Sequence, residues 1–295
     1  MSEENYSSAK RISDRREGRL LGKLPAFVRI TPYIQRRRSD AAVSLTDCVE
    51  VSGIEQWLRE KRGEGWAGLG FLHLLVAAYV RTVSMRPGIN RFVAGRKIYA
   101  RNTIEVCMNV KRGPSVTASE SCIKVSFSPS ATVFDVYRTL SSAVDALRAD
   151  VRDSDAERIA GVLCRFPRFA LRFVMLGLRI LDYFDWLPAK YLSVSPFHGS
   201  LSVIDFGSLG VAPAAPSLPD FGTLPCAISF GTKRRVHEPD VSGSRELRYV
   251  DFCITADGRI CDSYYFASAL KCLKYFLKNP KELELPPQSV EDDVN

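Results

Sequence analysis

The sequence has no long hydrophobic run. Nowhere in its 295 residues do about 18 uncharged apolar residues follow one another, so no transmembrane helix is predicted. Residues 1–23 are polar and charged and contain no apolar core segment. A secretory signal is therefore not expected, and the cytoplasm is the expected location.

Histidine is scarce and cysteine is unpaired. The three histidines are His73, His198 and His237, and none of the eight cysteines forms a C-x-x-C pair. No cluster has metal-ligand spacing, so no metal site is predicted. A cytosolic chain of this size needs no disulfides. The thiols are therefore expected to be buried as small apolar groups.

Basic residues exceed acidic ones, with 41 Lys and Arg against 33 Asp and Glu and a net charge of +8. Such a balance favours an anionic partner: nucleic acid, a membrane surface or a phosphate-rich cofactor. Nucleic acid is not expected, because no helix-turn-helix, finger or RNA-binding aromatic motif accompanies the charge. The charge distribution predicts a flexible basic arm over residues 1–18, a domain over 19–285 and an acidic solvated tail over 286–295.

Alternating helix and strand patterns fill the predicted domain. Helices are predicted over residues 53–60, 69–85, 132–148 and 264–277. Strands are predicted over 41–51, 91–93, 97–99, 104–110, 122–127, 201–205, 226–230 and 249–255. Strands flanked by helices throughout indicate one α/β domain with a mixed sheet.

Residues 155–187 combine large apolar side chains with four arginines that are seven residues apart: Arg158, Arg165, Arg172 and Arg179. A seven-residue period keeps these arginines in one stripe on a helix, which Pro167 interrupts or restarts. Two interpretations stay open. The helix packs on the body or on a neighbouring subunit with its arginines in water, or it lies on a membrane surface.

Short motifs in the last third of the chain carry a family resemblance. Phe206–Gly210 (FGSLG) is followed by Phe221–Gly231, and Asp257–Ser263 (DGRICDS) leads into the last helix and Asn279-Pro280. In order and spacing they resemble the catalytic domain of the dihydrolipoyl acyltransferases of 2-oxoacid dehydrogenase complexes and the related chloramphenicol acetyltransferases. Residues 90–102 and 195–198 (SPFH) resemble short stand-alone members without lipoyl domains. The resemblance covers about residues 15–285.

The resemblance implies a chloramphenicol acetyltransferase-like α/β fold, a mixed sheet with flanking helices, assembled as a homotrimer with active sites between subunits. It implies coenzyme A or acyl-CoA as substrate, no metal, and a small-molecule thiol, hydroxyl or amine acceptor. In that family a histidine of the second motif is the general base, and a hydroxyl or amide donor stabilises the oxyanion.

The chain departs from the family at the base, because Gly258 occupies the histidine position between Asp257 and Arg259. The resemblance implies a structural Asp262 that pairs with an arginine, with Arg259 and the arginines of Asn90–Asn102 as candidates. His198 is the candidate replacement base, whereas His73 is expected to pack in the core and His237 to face solvent.

Ser208 is a candidate oxyanion donor, and equally a turn residue. Coenzyme A-dependent acyl transfer is thus the expected reaction class, although loss of a general base costs about 10²–10⁴-fold in rate. The alternatives are a non-catalytic trimeric scaffold or acyl-CoA-binding protein, and a basic protein that binds a membrane surface or nucleic acid.

Overall fold

A computed structural model describes residues 13–111, 120–149, 161, 165–240 and 243–294. Arg158, Cys164 and the first twelve residues of the predicted basic arm lie outside the described residues.

The body of the molecule is a six-stranded mixed sheet with the order β2-β9-β8-β7-β5-β6. Strand β7 runs parallel to β5 and β8, and the other neighbouring pairs are antiparallel. The predicted mixed-sheet α/β fold is therefore confirmed. The strands are β2 (Ala42–Glu50), β5 (Ile104–Lys111), β6 (Glu120–Phe127), β7 (Leu201–Asp205), β8 (Cys226–Asp240) and β9 (Gly243–Asp257).

A second, antiparallel sheet has the order β1-β4-β3. Its strands are β1 (Gly18–Leu20), β3 (Arg91–Ala94) and β4 (Lys97–Arg101). The helices of the described residues are α1 (Ala26–Ile34), α2 (Arg38–Ala41), α3 (Ser52–Gly63), α4 (Phe71–Met85), α5 (Val133–Ala149), α6 (Arg168–Tyr183), α7 (Ala189–Val194) and α8 (Ser263–Lys278).

Helix α4 lies at the centre of the core, packed against α8 and α5. Leu74, Leu75 and Tyr79 of this helix are 0% exposed. The Tyr79 hydroxyl donates to the Ser200 carbonyl at 3.0 Å, which satisfies its polar end inside the core. This packing holds the strands whose ends form the candidate site.

Helix α6 differs, because none of its residues is buried. Pro167 immediately precedes it, as expected for a helix that starts anew there. No helix within the described ranges is long and apolar enough to span a membrane.

The chain ends were predicted to be solvated, and most of residues 286–294 are exposed, but some charged residues of both ends contact the body. Arg15 is 6% exposed, and the Asp293 carboxylate accepts two hydrogen bonds from Arg91, at 2.7 and 2.5 Å. The Glu291 N–H donates to the Ser84 carbonyl at 2.8 Å. Charge composition indicated solvent exposure, but these charges find partners on the body of the fold, where a buried arginine requires one.

The cysteine prediction holds in part. Cys107, Cys226, Cys253 and Cys261 are buried, Cys48, Cys122 and Cys272 are half-buried, and all seven described thiols are free. Burial raises the pKa of Cys261 to about 12, so this thiol stays protonated at neutral pH.

Candidate functional site

The sheet register places the sequence-predicted site residues at two different ends. Leu201 of β7 pairs with Cys226 of β8, which in turn pairs with Ala256 of β9. His198, just before β7, and Gly258, just after β9, therefore lie at the same end of the sheet. Ser208 follows the other end of β7, and that strand spans about 13 Å at 3.3 Å per residue. Within one chain the structure does not bring Ser208 to His198.

Gly258 lies in close contact with the backbone at the start of β2. Its N–H donates to the Ala41 carbonyl at 2.9 Å. A Cβ atom at position 258 would lie 2.8 Å from the Ala41 oxygen and 3.2 Å from the Val43 Cγ2. A histidine here would displace the β2 backbone, so Gly258→His is not a clean test for a missing base.

The neighbouring carboxylate of Asp257 belongs to a buried ion cluster. Asp257 is 1% exposed and accepts hydrogen bonds from Arg259 Nε at 2.8 Å and Nη2 at 2.7 Å. Arg38 Nε lies 3.4 Å from its second oxygen. Burial lowers the pKa of Arg38, against the opposing effect of Asp257. Arg38 also donates to the Pro219 and Gly222 carbonyls, so this cluster joins the 219–222 loop to the end of β9.

Asp262 has a different structural role from the one expected. It is exposed, and its carboxylate accepts the Tyr265 N–H at 2.7 Å as the N-cap of α8. Arg259 pairs with Asp257 instead. The expected arginine partner of Asp262 is therefore wrong for the described residues of a single chain, since the carboxylate serves the free N–H groups of the helix.

His198 is buried completely, at 0% exposure. Its Nδ1 lies 2.8 Å from the Ser195 Oγ, and its Nε2 lies 3.6 Å from the Asp182 Oδ1. The second distance is an electrostatic contact rather than a hydrogen bond. The Phe221 and Tyr191 rings meet the imidazole edge to face, at 5.6 and 6.1 Å between centroids.

Asp182 connects the histidine to an arginine from the N-terminal segment. Arg15 Nη2 lies 2.9 Å from the Asp182 Oδ1 and donates to the Asp182 carbonyl at 2.6 Å. Burial acts to raise the pKa of Asp182, but His198 and Arg15 outweigh it, so the pKa of this carboxyl is lowered. We call Arg15, Asp182, Ser195 and His198 the His198 network.

Gly222 positions the loop that packs against this network. Its φ is +88°, and a Cβ atom there would lie 2.2 Å from the Phe197 carbonyl oxygen. Only glycine permits both the left-handed backbone and this approach. The next N–H, that of Thr223, then donates to the same carbonyl at 2.8 Å, which fixes the residue before His198.

Sequence reasoning missed three of the four members of the His198 network. Asp182 is the single acidic residue of α6, and Ser195 precedes His198 by three residues. A lone acid in a helix and a serine three residues before a histidine are weak signals by themselves. The members of the network come from three separate parts of the chain, and no sequence pattern links those parts. A serine hydroxyl, an imidazole and a carboxylate in line are the residue types that activate a nucleophile or accept a proton.

Ser208 has the contacts of a turn residue. It is exposed, its N–H donates to the Asp205 carboxylate at 2.9 Å and its hydroxyl donates to the Asp205 carbonyl at 3.1 Å. Of the two roles left open by the sequence, these hydrogen bonds favour the turn.

The remaining histidines are not members of the His198 network. His73 begins α4, and its Nδ1 accepts the Gly70 N–H at 3.1 Å. Burial, assisted by Arg62, lowers the pKa of His73 to about 4. His237 is exposed on β8. In the part of the chain that the structure describes, no three His, Cys, Asp or Glu side chains converge on a metal-sized site.

Comparisons with family models and with curated proteins find no match to the sequence. Solved structures do match. A probable dihydrolipoamide acetyltransferase from Listeria monocytogenes is 12% identical with a TM-score of 0.55, covering 85% of this chain and 88% of its own. The cubic core of a pyruvate dehydrogenase multienzyme complex is 12% identical with a TM-score of 0.54, covering 95% and 96%.

A chloramphenicol acetyltransferase is 12% identical with a TM-score of 0.53, covering 88% of this chain and 99% of its own. The chain has the fold of these acetyltransferases. The fold expected from the motifs is therefore confirmed, and the likeness extends over nearly the whole length of each protein.

Proposed function

We propose that the protein is a coenzyme A-dependent acyltransferase in which His198, and not residue 258, is the general base. The observation that carries this proposal is the His198 network. It lies at the same end of the sheet as Gly258, on a fold shared with acetyltransferases, and it holds an imidazole between a hydroxyl and a carboxylate.

In the proposed reaction an acceptor thiol, hydroxyl or amine attacks the carbonyl carbon of a coenzyme A thioester. The acceptor's proton passes through the Ser195 hydroxyl to His198 Nδ1, 2.8 Å away. The thioester C–S bond then breaks, and His198 returns a proton by the same route to the sulfur of coenzyme A, which leaves as its thiol. Asp182 stabilises the imidazolium, and Arg15 holds Asp182 in place. Ser195 positions the ring through its 2.8 Å contact with Nδ1. Ser208, as a hydroxyl at the opposite end of β7, contributes to such a site only from another subunit.

The proposal includes a homotrimer, with the substrate channels between subunits, and a cytoplasmic location. The cubic core among the similar structures is a multi-subunit assembly, and outside α1 and α6 this chain exposes apolar side chains, such as Leu209 and Val211, that a subunit interface would cover. Light scattering measures the mass directly. A monomer at micromolar concentration contradicts the trimer.

Release of coenzyme A from acetyl-CoA and longer acyl-CoA thioesters, followed with a thiol reagent across a panel of acceptors, tests the chemistry. We expect His198→Gln to lower the rate by about 10²–10⁴-fold. His237→Gln, which changes an exposed histidine of β8, is the matched control and should leave the rate unchanged. An unchanged rate in His198→Gln excludes the proposed base.

A second candidate function is that of a non-catalytic scaffold or acyl-CoA-binding protein. It is favoured by the 0% exposure of His198 and by the backbone contact that closes position 258, because neither residue offers an exposed base. Calorimetric titration with coenzyme A separates the candidates. Binding without thiol release by the wild type supports an acyl-CoA-binding protein, and absence of both contradicts the acyltransferase and the acyl-CoA-binding protein and favours the scaffold.

A further inference from the structure

Helix α6 presents an uncovered apolar face. Its residues Phe169, Phe173, Leu176 and Ile180 are 68%, 70%, 53% and 47% exposed, and Phe184, just past its end, is 53% exposed. Spacings of three and four residues put these side chains on one side of the helix. The opposite side, with Val174, Leu178 and Leu181, is half-buried.

A stripe of arginines borders the apolar face. Arg168, Arg172 and Arg179 share one edge of α6 and are exposed. Within the described ranges, no acidic side chain lies in ion-pair distance of these three arginines. The one acid of the helix, Asp182, points inward to Arg15. The outer surface of α6 is thus apolar and cationic along its whole length.

Helix α1 continues this surface. Its residues Phe27, Ile30, Tyr33 and Ile34 are 79%, 50%, 50% and 67% exposed. The turn between β3 and β4 joins the two helices: the Arg96 guanidinium lies 5.7 Å from the Tyr33 ring centre, and a methyl group on Gly95 would lie 3.6 Å from the Tyr183 ring. We call α1, this turn and α6 the apolar–basic face.

A cleft of about 480 Å³ opens on the same face. Arg29, Arg96 and Lys97 line it together with Leu20, Ile30 and Tyr33. Three cationic groups beside aliphatic and aromatic side chains suit a ligand that carries an anionic group on an apolar body.

We propose that the apolar–basic face docks on the surface of an anionic lipid bilayer. Aromatic and aliphatic side chains on one side of a helix, with arginines along its edge, are the arrangement of helices that lie in the membrane interface. The arginines would lie among the lipid phosphates while the phenylalanines enter the acyl boundary. Trp186, which is 64% exposed beside Phe184, adds an interfacial aromatic residue.

A second copy of the chain fits this face less well. A symmetric pairing of two α6 helices would set the arginine stripes of both copies close together, and like charges repel. The net charge of +8 likewise favours an anionic surface over another copy of this chain.

Flotation of the full chain with vesicles tests the proposal. The vesicles are phosphatidylcholine alone, or with about 30% phosphatidylglycerol, at about 0.1 M and 0.5 M salt. We expect binding to the anionic vesicles only, weakened at least tenfold by the higher salt. Phe169→Ser with Phe173→Ser should abolish binding, and Arg172→Gln with Arg179→Gln should weaken it at least tenfold.

The matched controls lie on α8, on another part of the surface. Tyr264→Ser removes an aromatic residue that is 86% exposed, and Lys271→Gln removes one exposed charge. Both should bind as the wild type does, and circular dichroism checks that all variants are folded. Because flotation needs no acyl transfer, its outcome is independent of the proposed reaction.

Absence of binding to the anionic vesicles overturns the proposal, and so does binding that neither double variant weakens. If the phenylalanine variant instead breaks up an oligomer of a wild type that does not float, the face is a subunit interface. If wild-type binding is strong to phosphatidylcholine alone and insensitive to salt, the arginines have no part in docking and the anionic specificity is wrong.

Discussion

Helices α4 and α6 have almost the same apolar content and opposite environments. Each contains eleven apolar residues, α4 in a length of 15 and α6 in a length of 16. Eleven residues of α4 are buried, and none of α6 is. Apolar content therefore predicts that a helix has an apolar surface, but it does not predict whether the body of the same chain buries that surface.

The difference lies in the polar residues. Arg81 of α4 donates to the Glu282 carbonyl at 3.2 Å and to the Leu285 carbonyl, while Thr82 and Ser84 donate to carbonyls one turn earlier. These hydrogen bonds satisfy both terminal nitrogens of Arg81 and the two hydroxyls, and they leave only the Arg81 Nε without a partner among these groups, so the helix can be enclosed. The arginines of α6 have none in the described residues, and enclosing them would cost several kcal/mol per charge.

The sharpest test of this comparison deletes one apolar side chain from each helix. We expect Leu74→Ala in α4 to lower the free energy of unfolding by about 2–5 kcal/mol, because a fully buried leucine leaves a cavity. Phe173→Ala in α6 should change it by no more than about 0.5 kcal/mol, since the ring is already in solvent. Urea denaturation measures both.

Equal losses for the two variants would contradict the exposed position of α6. A large loss for Phe173→Ala that grows with protein concentration would show that another copy covers the helix in solution.

The sequence patterns predicted most of the sheet and the two central helices, because buried strands and helices carry continuous or periodic apolar signals. Helix α1 was missed, since Pro32 and its β-branched neighbours read as irregular structure. The outer parts of β8 and β9 were also missed. Their paired residues, such as Arg235 opposite Arg248, are charged and carry no alternating apolar signal.

The sequence predicted only those parts of the candidate site whose residues are close together in the chain. The motif that contains Asp257, Gly258 and Arg259 is continuous in sequence, so its loss of the base was visible. Asp182 contacts His198, 16 residues later in the chain, and Arg15, 167 residues earlier, and no periodicity encodes either contact. The side-chain carboxylate of Asp293, near the end of the chain, similarly pairs with Arg91. Composition alone had placed Asp293 in solvent.

Low pH provides a second test of the burial of α4, because burial in the first turn of this helix lowers the pKa of His73. The pKa of His73 falls from about 6.5 to about 4 on folding, chiefly through burial. A lowered pKa gives stability that is present above the unfolded value and lost as pH falls from about 6.5 to about 4. We expect a loss of about 3 kcal/mol over that window, and a smaller loss in His73→Gln, by urea denaturation at each pH. Parallel profiles would contradict the burial of His73.

The contact that attaches α6 to the body is polar, and Asp182→Ala tests it. The variant leaves Asp185, at 3.7 Å, as the acidic side chain in ion-pair distance of the buried Arg15 among the described residues. We expect a loss of about 1–3 kcal/mol and faster trypsin cleavage after Arg172 or Arg179, since the helix end is released. Because the pKa of Asp182 is lowered, this contribution is present above about pH 4 and lost as pH falls through the lowered value.

Asp182→Asn is the matched variant, because it keeps the side chain's shape and removes its charge. At pH 7 its free energy of unfolding should fall by less than that of Asp182→Ala. In acid its free energy of unfolding should approach that of the wild type. Unchanged trypsin cleavage in Asp182→Ala would mean that the apolar inner side of α6, and not the His198 network, holds the helix.

The smallest expected effect concerns α8, which packs against α4 and begins at an exposed residue. The Asp262 carboxylate accepts the Tyr265 N–H at 2.7 Å, and an N-cap is worth about 1 kcal/mol. Asp262→Ala should lower the free energy of unfolding by that amount, while Asp262→Asn, an equally good cap, should stay close to the wild type. A buried carboxylate stripped of an arginine would instead cost about 3–5 kcal/mol. A loss of that size in both variants would show that Asp262 has a charged partner, supplied by a neighbouring subunit, and would restore the pairing that the family resemblance implies.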